Sequence, residues 1–94
     1  MQFSIVTVDR PDGLEIRLAN RPAHLAYLEA NAARIIAAGP HLSADGQTMI
    51  GSLLLIEAAD RAEAERFVAD DPFSKAGLPA SVAITPWRRV YPKA

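Results

Sequence analysis

Apolar β-branched residues crowd the first segment, "QFSIVTV" (2–8), which ends at the turn formers "DRPDG"; the pattern predicts a strand. Over "RPAHLAYLEANAARIIAAG" (21–39) the spacing changes, and Leu25, Leu28, Ala32 and Ile35 recur as one helical stripe. This predicts a helix over 21–39, with Pro22 in its first turn and Gly39 just past its end. "HLSADGQTMIGSLLLIE" (41–57) predicts a hairpin, with a short strand, a turn at Asp45-Gly46 and a longer strand. "DRAEAERFVA" (60–69) predicts a second helix, in which Asp60 and Glu63 have capping-box spacing and Phe67 and Val68 face inward. "ASVAITPWRRVY" (80–91) is the expected last strand.

The order β-α-β-β-α-β is that of the α+β, ferredoxin-like split βαβ arrangement, with both helices on one face of an antiparallel sheet. The third strand carries Ile50, Leu54 and Ile56 on one side and Met49, Leu53 and Leu55 on the other. A strand apolar on both sides is unsuited to having one side in water. A second copy of the chain is the simplest cover for the helix-free face, so a homodimer is expected, with sheets packed face to face or joined into a larger barrel.

Composition narrows the functional classes. The chain has 94 residues, the size of a single domain spanning 1–94. Half of the residues are apolar and the formal net charge is −1, which gives no nucleic-acid footprint. Arg88 and Arg89 lie beside Trp87, but successive strand residues point to opposite faces, so Trp87 is expected in the core or a dimer interface. There is no cysteine, which excludes disulfides, thiolate metal sites and a cysteine nucleophile. "MQFSIVTVDR" has no basic leader, and the longest aliphatic run is "LLLI", so a cytoplasmic protein without a membrane segment is expected.

Of two histidines, His24 lies about 70° from the centre of the Leu25–Ile36 stripe at 100° per residue, on the border of core and surface. It is either a boundary histidine capped by a carbonyl or water, or a general acid/base. His41 opens a strand after Gly39-Pro40 and reads as a turn-edge residue. Asp70 and Asp71 sit where a helix ends, and a carboxylate there faces the negative end of the dipole. They are a solvated helix stop before Pro72, or one of them answers a nearby cation such as His24. Ser52 shares its strand face with Ile50, Leu54 and Ile56; it contacts a ligand or marks close packing beside Gly51. Arg21 is a partner for an anionic substrate or a surface cation. No metal-ligand spacing is present among the histidines and aspartates considered.

"RPAHLAYLEANAARIIAAGP", the Gly51-Ser52 pair, "ADDPFSKAGL" and "VAITPWRRVY" fall in order along nearly the whole chain and resemble the YCII-related family. The resemblance implies a dimeric α+β barrel of the ferredoxin-like kind and a pocket holding a histidine–aspartate dyad. The histidine of "RPAHL" corresponds to His24, and the aspartate before proline to Asp71, with Asp70 a solvated neighbour. Relatives include an enzyme that removes HCl from a chlorinated aromatic-degradation intermediate, so the resemblance points to a small-molecule lyase or isomerase. Neutral His24 would take a proton from a carbon next to a carbonyl or lactone, with Asp71 holding the imidazolium; this chemistry requires no metal or redox cofactor. A ligand-binding or sensor domain without turnover, and a dimerisation module, are the competing readings.

Overall fold

Four strands, β1 (Gln2–Asp9), β2 (Ile35–Leu42), β3 (Met49–Glu57) and β4 (Pro79–Trp87), form one antiparallel sheet in the order β2-β3-β1-β4. Between them run helices α1 (Leu14–Ala30), α2 (Arg61–Asp70) and the single-turn α3 (Pro72–Lys75), with a 3₁₀ turn at Ala32–Arg34. This is the α+β, ferredoxin-like order of dimeric α+β barrels. The structure, a computed structural model, describes residues 1–93.

Register fixes which side chains face the helices. Ile5 pairs with Leu54 and Ile84, and Thr7 with Ser52 and Val82. Phe3, Ile5, Leu54 and Ile56 therefore share one face, where they pack with Ala64 and Phe67 of α2 into the core. Each such fully buried side chain contributes about 1.5–3 kcal/mol. The same alternation carries Thr7, Asp9 and Ser52 onto that face toward its upper end, where the core turns polar. Gly51 permits this close pairing: a Cβ there would meet the Thr7 carbonyl oxygen of β1.

Helix α2 starts as its sequence predicts, with the Asp60 carboxylate accepting the Glu63 N–H at 2.9 Å. Helix α1 does not. It begins at Leu14 and ends at Ala30, so Pro22 lies inside it, and Gly39 lies within β2 instead of beyond a helix. Ala32 and Ile35 leave the helix altogether, and Leu25 is 46% exposed. The stripe expected to be buried is replaced by an inward face made of Arg17, His24, Tyr27 and Leu28. Pairing of Ile35 with Ile56 pulls the Ala-rich stretch into the sheet and overrides its helical preference. The hairpin strand β2 is accordingly longer than expected and starts six residues earlier.

Candidate active site

Position 71 joins two helices. Asp71 is the last capping residue of α2 and, held extended at φ −65° and ψ 130°, the N-cap of α3. Pro72 favours that extended backbone and supplies the first residue of the next turn. The carboxylate is thus at the favourable end of α3, where Oδ1 accepts the Phe73 N–H at 2.9 Å. The same oxygen lies 2.8 Å from Nδ1 of His24, with His24 8% and Asp71 7% exposed. An ionised carboxylate only accepts, so Nδ1 carries a proton, and in the neutral imidazole Nε2 is then the free lone pair. Asp70, one residue earlier, is exposed.

A second buried pair stands two turns away on α1. Arg17 donates from Nε to Asp9 Oδ2 at 2.7 Å and from Nη2 to Asp9 Oδ1 at 3.0 Å. The Nη2 atom also donates to Ser52 Oγ at 2.8 Å. Phe73 links the two pairs: the His24 ring stacks on it at 3.9 Å, and the Arg17 guanidinium carbon lies 4.7 Å from its centroid. The phenyl ring thus contacts both groups.

Arg17, Arg21, His24 and Ser52 line one cleft of about 130 Å³, roofed by Leu25 and Leu28 and bordered by the small residues Ala38, Gly39 and Pro40 of β2. The fold thus gathers His24, Asp71, Ser52 and Arg21 at one end of the helix-covered face. Ser52 is buried, with Arg17 as its donor, while Arg21 is exposed at the cleft. His41 is exposed on the edge strand β2. Among the described residues, no group of three or more His, Cys, Asp or Glu could hold a metal ion. No helix among them is long and apolar enough to cross a membrane.

Residues 1–88 match the YCII-related domain. The chain belongs to the YCII-related family. Protein YciI of Escherichia coli O6:H1 is 32% identical over 98 residues, covering 97% of this chain and all of that protein. The family chain is also similar to a solved structure of 5-chloro-2-hydroxyhydroquinone dehydrochlorinase (TftG) from Burkholderia phenoliruptrix AC1100, in complex with 2,5-dihydroxybenzoquinone. The TM-score is 0.88 and the identity 44%, over 94% of each chain. PA3566 from Pseudomonas aeruginosa shares the fold alone, with a TM-score of 0.56 and 17% identity over 95% of this chain and 92% of that one.

The sequence reading did not include Asp9, Arg17 or Phe73. One signal was present for Asp9: it continues the Phe3, Ile5, Thr7 alternation and so falls on the apolar face of β1. A carboxylate there requires a buried cation. Arg17 is seven residues before His24, which is one face of a helix once α1 starts at Leu14.

Proposed function

We propose that this YCII-related protein is a small-molecule lyase in which His24 is the general base and Asp71 orients and stabilises it. The observation that carries the reading is the buried Nδ1–Oδ1 contact of 2.8 Å beside a cleft. Its counterpart in sequence is the 44% identity to a dehydrochlorinase over 94% of the chain. Nε2 has no partner among the described residues, and no unpartnered side-chain nitrogen or oxygen is sealed from solvent. Nε2 is therefore not sealed from solvent, and His24 lines the cleft.

The reaction is an elimination on a small carbonyl or quinol compound. Nε2 takes a proton from a carbon next to a carbonyl or, for a quinol, from a hydroxyl of the keto tautomer in which the chlorine-bearing ring carbon has gained a proton, and the freed electron pair forms the enolate. The enolate collapses to the carbonyl and the leaving group departs with its bonding pair, as chloride in the dehydrochlorinase case. His24, now an imidazolium, is stabilised by Asp71 and returns its proton to water. Ser52 and Arg21 bind the substrate at the cleft wall. The same abstraction without a leaving group gives an isomerase. We further propose that the protein works as a homodimer, the helix-free face of the sheet covered by a second copy.

The test is chloride release from 5-chloro-2-hydroxyhydroquinone by the purified protein and by His24→Asn. Turnover that falls by about 10²–10⁴-fold in the variant is expected. Equal rates in the two proteins would refute the base assignment, and binding without any turnover in the unmutated protein would favour the sensor reading.

A further inference from the structure

Asp71 uses only one oxygen of its carboxylate within the protein. Oδ1 accepts from His24 Nδ1 at 2.8 Å and from the Phe73 N–H at 2.9 Å, while Oδ2 has no partner among the described residues. A charged oxygen removed from water without a donor is costly. Thr7 of β1 is in a similar condition: it is 9% exposed, and its hydroxyl has no partner among the described residues. No unpartnered side-chain oxygen is sealed, so both oxygens border space that a water can reach.

Asp71 and Thr7 line one cavity of about 20 Å³. Neither lines the cleft that holds His24; the two spaces share Ser52 and Leu54 of β3. About 10–15 Å³ suffices for one water, and a wholly apolar cavity of this kind stays dry. Ile5, Leu54, Phe67 and Leu78 confine the space and leave no room for an organic substrate, but Thr7, Ser74 and Asp71 give it polar walls. These are the two to four partners that a buried water needs. The Thr7 backbone is fixed between Ser52 of β3 and Val82 of β4, with its carbonyl oxygen against Gly51. Its hydroxyl both donates and accepts, so it can hold a water whose proton goes to the carboxylate.

We propose that this cavity is the binding site of one ordered water, which donates to Asp71 Oδ2 and is held by the Thr7 hydroxyl. Thr7 is thereby, through the water, a positioning residue for the His24–Asp71 pair. With Oδ1 committed to two donors and Oδ2 to a third, the carboxylate cannot turn about its Cβ–Cγ bond, and the edge that faces Nδ1 is fixed. A bridging water makes this contact with nearly the strength of a direct hydrogen bond. The water site stands whether or not His24 is a base; only its effect on turnover rests on that reading.

The experiment compares the unmutated protein with Thr7→Val, which keeps the branched shape that suits a strand, and with Thr7→Ser, which keeps the hydroxyl. A crystal structure of the unmutated protein should show water density within hydrogen-bonding distance of Asp71 Oδ2 and Thr7 Oγ1. The density should persist in Thr7→Ser and vanish in Thr7→Val. Density absent from the unmutated protein, or retained in Thr7→Val, overturns the proposal; should Thr7→Val not fold, the unmutated protein and Thr7→Ser decide. In ¹⁵N-histidine-labelled protein, the His24 Nδ1–H signal should shift and exchange faster with solvent in Thr7→Val than in the other two. The turnover number for chloride release should fall about tenfold in Thr7→Val with KM unchanged, and recover in Thr7→Ser. A threonine that only packs would move the thermal midpoint and leave both the Nδ1–H signal and the turnover number alone, which refutes the positioning role. If His24→Asn turns over normally, the base assignment fails, while the density and the Nδ1–H signal still judge the water and Thr7.

Discussion

Asp71 performs two tasks with one oxygen, and substitution separates them. Asp71→Asn retains an acceptor for the Phe73 N–H, so the start of α3 survives, but it removes the charge that stabilises an imidazolium. The expected outcome is a thermal midpoint close to that of the unmutated protein with chloride release reduced at least about a hundredfold. Asp71→Ala loses the cap as well, and its unfolding free energy should fall by about 1 kcal/mol more than that of the asparagine variant. Nearby, Tyr27 donates its hydroxyl to the Phe67 carbonyl at 2.8 Å. Burial, then the charges of Asp70 and Asp71, raise its pKa above the ordinary 10.0, against the smaller opposing effect of Arg34. The folded state thus holds the phenolic proton more tightly than the unfolded chain. The resulting stability is complete below the unfolded value and is lost as pH rises through the folded one. Tyr27→Phe should be less stable near neutral pH by about 1 kcal/mol, having lost a hydrogen bond. Its stability should then fall less steeply than the unmutated protein's above about pH 10. Urea unfolding at neutral and alkaline pH measures both curves; parallel curves would refute the linkage.

The elements differ in how openly the sequence declares them, and the difference has physical causes. Helix α2 carries its own start signal, because Asp60 caps it through a side chain. Helix α1 has none: its N-cap is Gly13, with no side-chain hydrogen bond, and a proline that resembles a first-turn residue stands eight positions inside. Its inward face is also polar through Arg17 and His24, so an apolar stripe cannot locate it. The residues that conceal the helix are those that line the cleft. The His24–Asp71 pairing was legible only through family motifs, since a contact across 47 positions is a property of the fold. The two strand glycines show what local sequence does not: their surroundings. Gly51→Ala drives a methyl against the Thr7 carbonyl oxygen in the central β1–β3 pair, while Gly39→Ala meets nothing within 4 Å on the edge strand. The first should cost about 1–3 kcal/mol and the second stay within about 0.5 kcal/mol. For a domain of this size, 1 kcal/mol corresponds to a shift in thermal midpoint of about 4–8 °C, which calorimetry resolves. Equal midpoints for the two variants would show that β1 and β3 can spread apart.

At the scale of the whole molecule, the sheet has two unequal faces. One is closed by helices and holds the cleft; the other carries Val6 from β1 and Leu53 and Leu55 from β3, which are half-buried, and Ala83 from β4, which is exposed. Val8, on the same side, is 52% exposed. Neighbouring apolar side chains of this kind, at the centre of a sheet and not scattered singly, are what an interface core requires. The proposed homodimer follows from that face and makes a demand separable from catalysis. Leu53 lies between Val6 of β1 and Gly39 of β2, so Leu53→Lys places a charge in the middle of the patch without touching the core around Phe67. Burying that charge unpaired is costly enough to dissociate a pair of copies. Light scattering should give twice the chain mass for the unmutated protein and the single-chain mass for Leu53→Lys, with circular dichroism unchanged. His24, Asp71 and Arg17 lie on the opposite side of the sheet and are joined to one another within one chain. A dissociated Leu53→Lys should therefore still bind 2,5-dihydroxybenzoquinone. A single-chain mass for the unmutated protein would refute the homodimer; loss of quinone binding on dissociation would mean that the second copy contributes to the cleft.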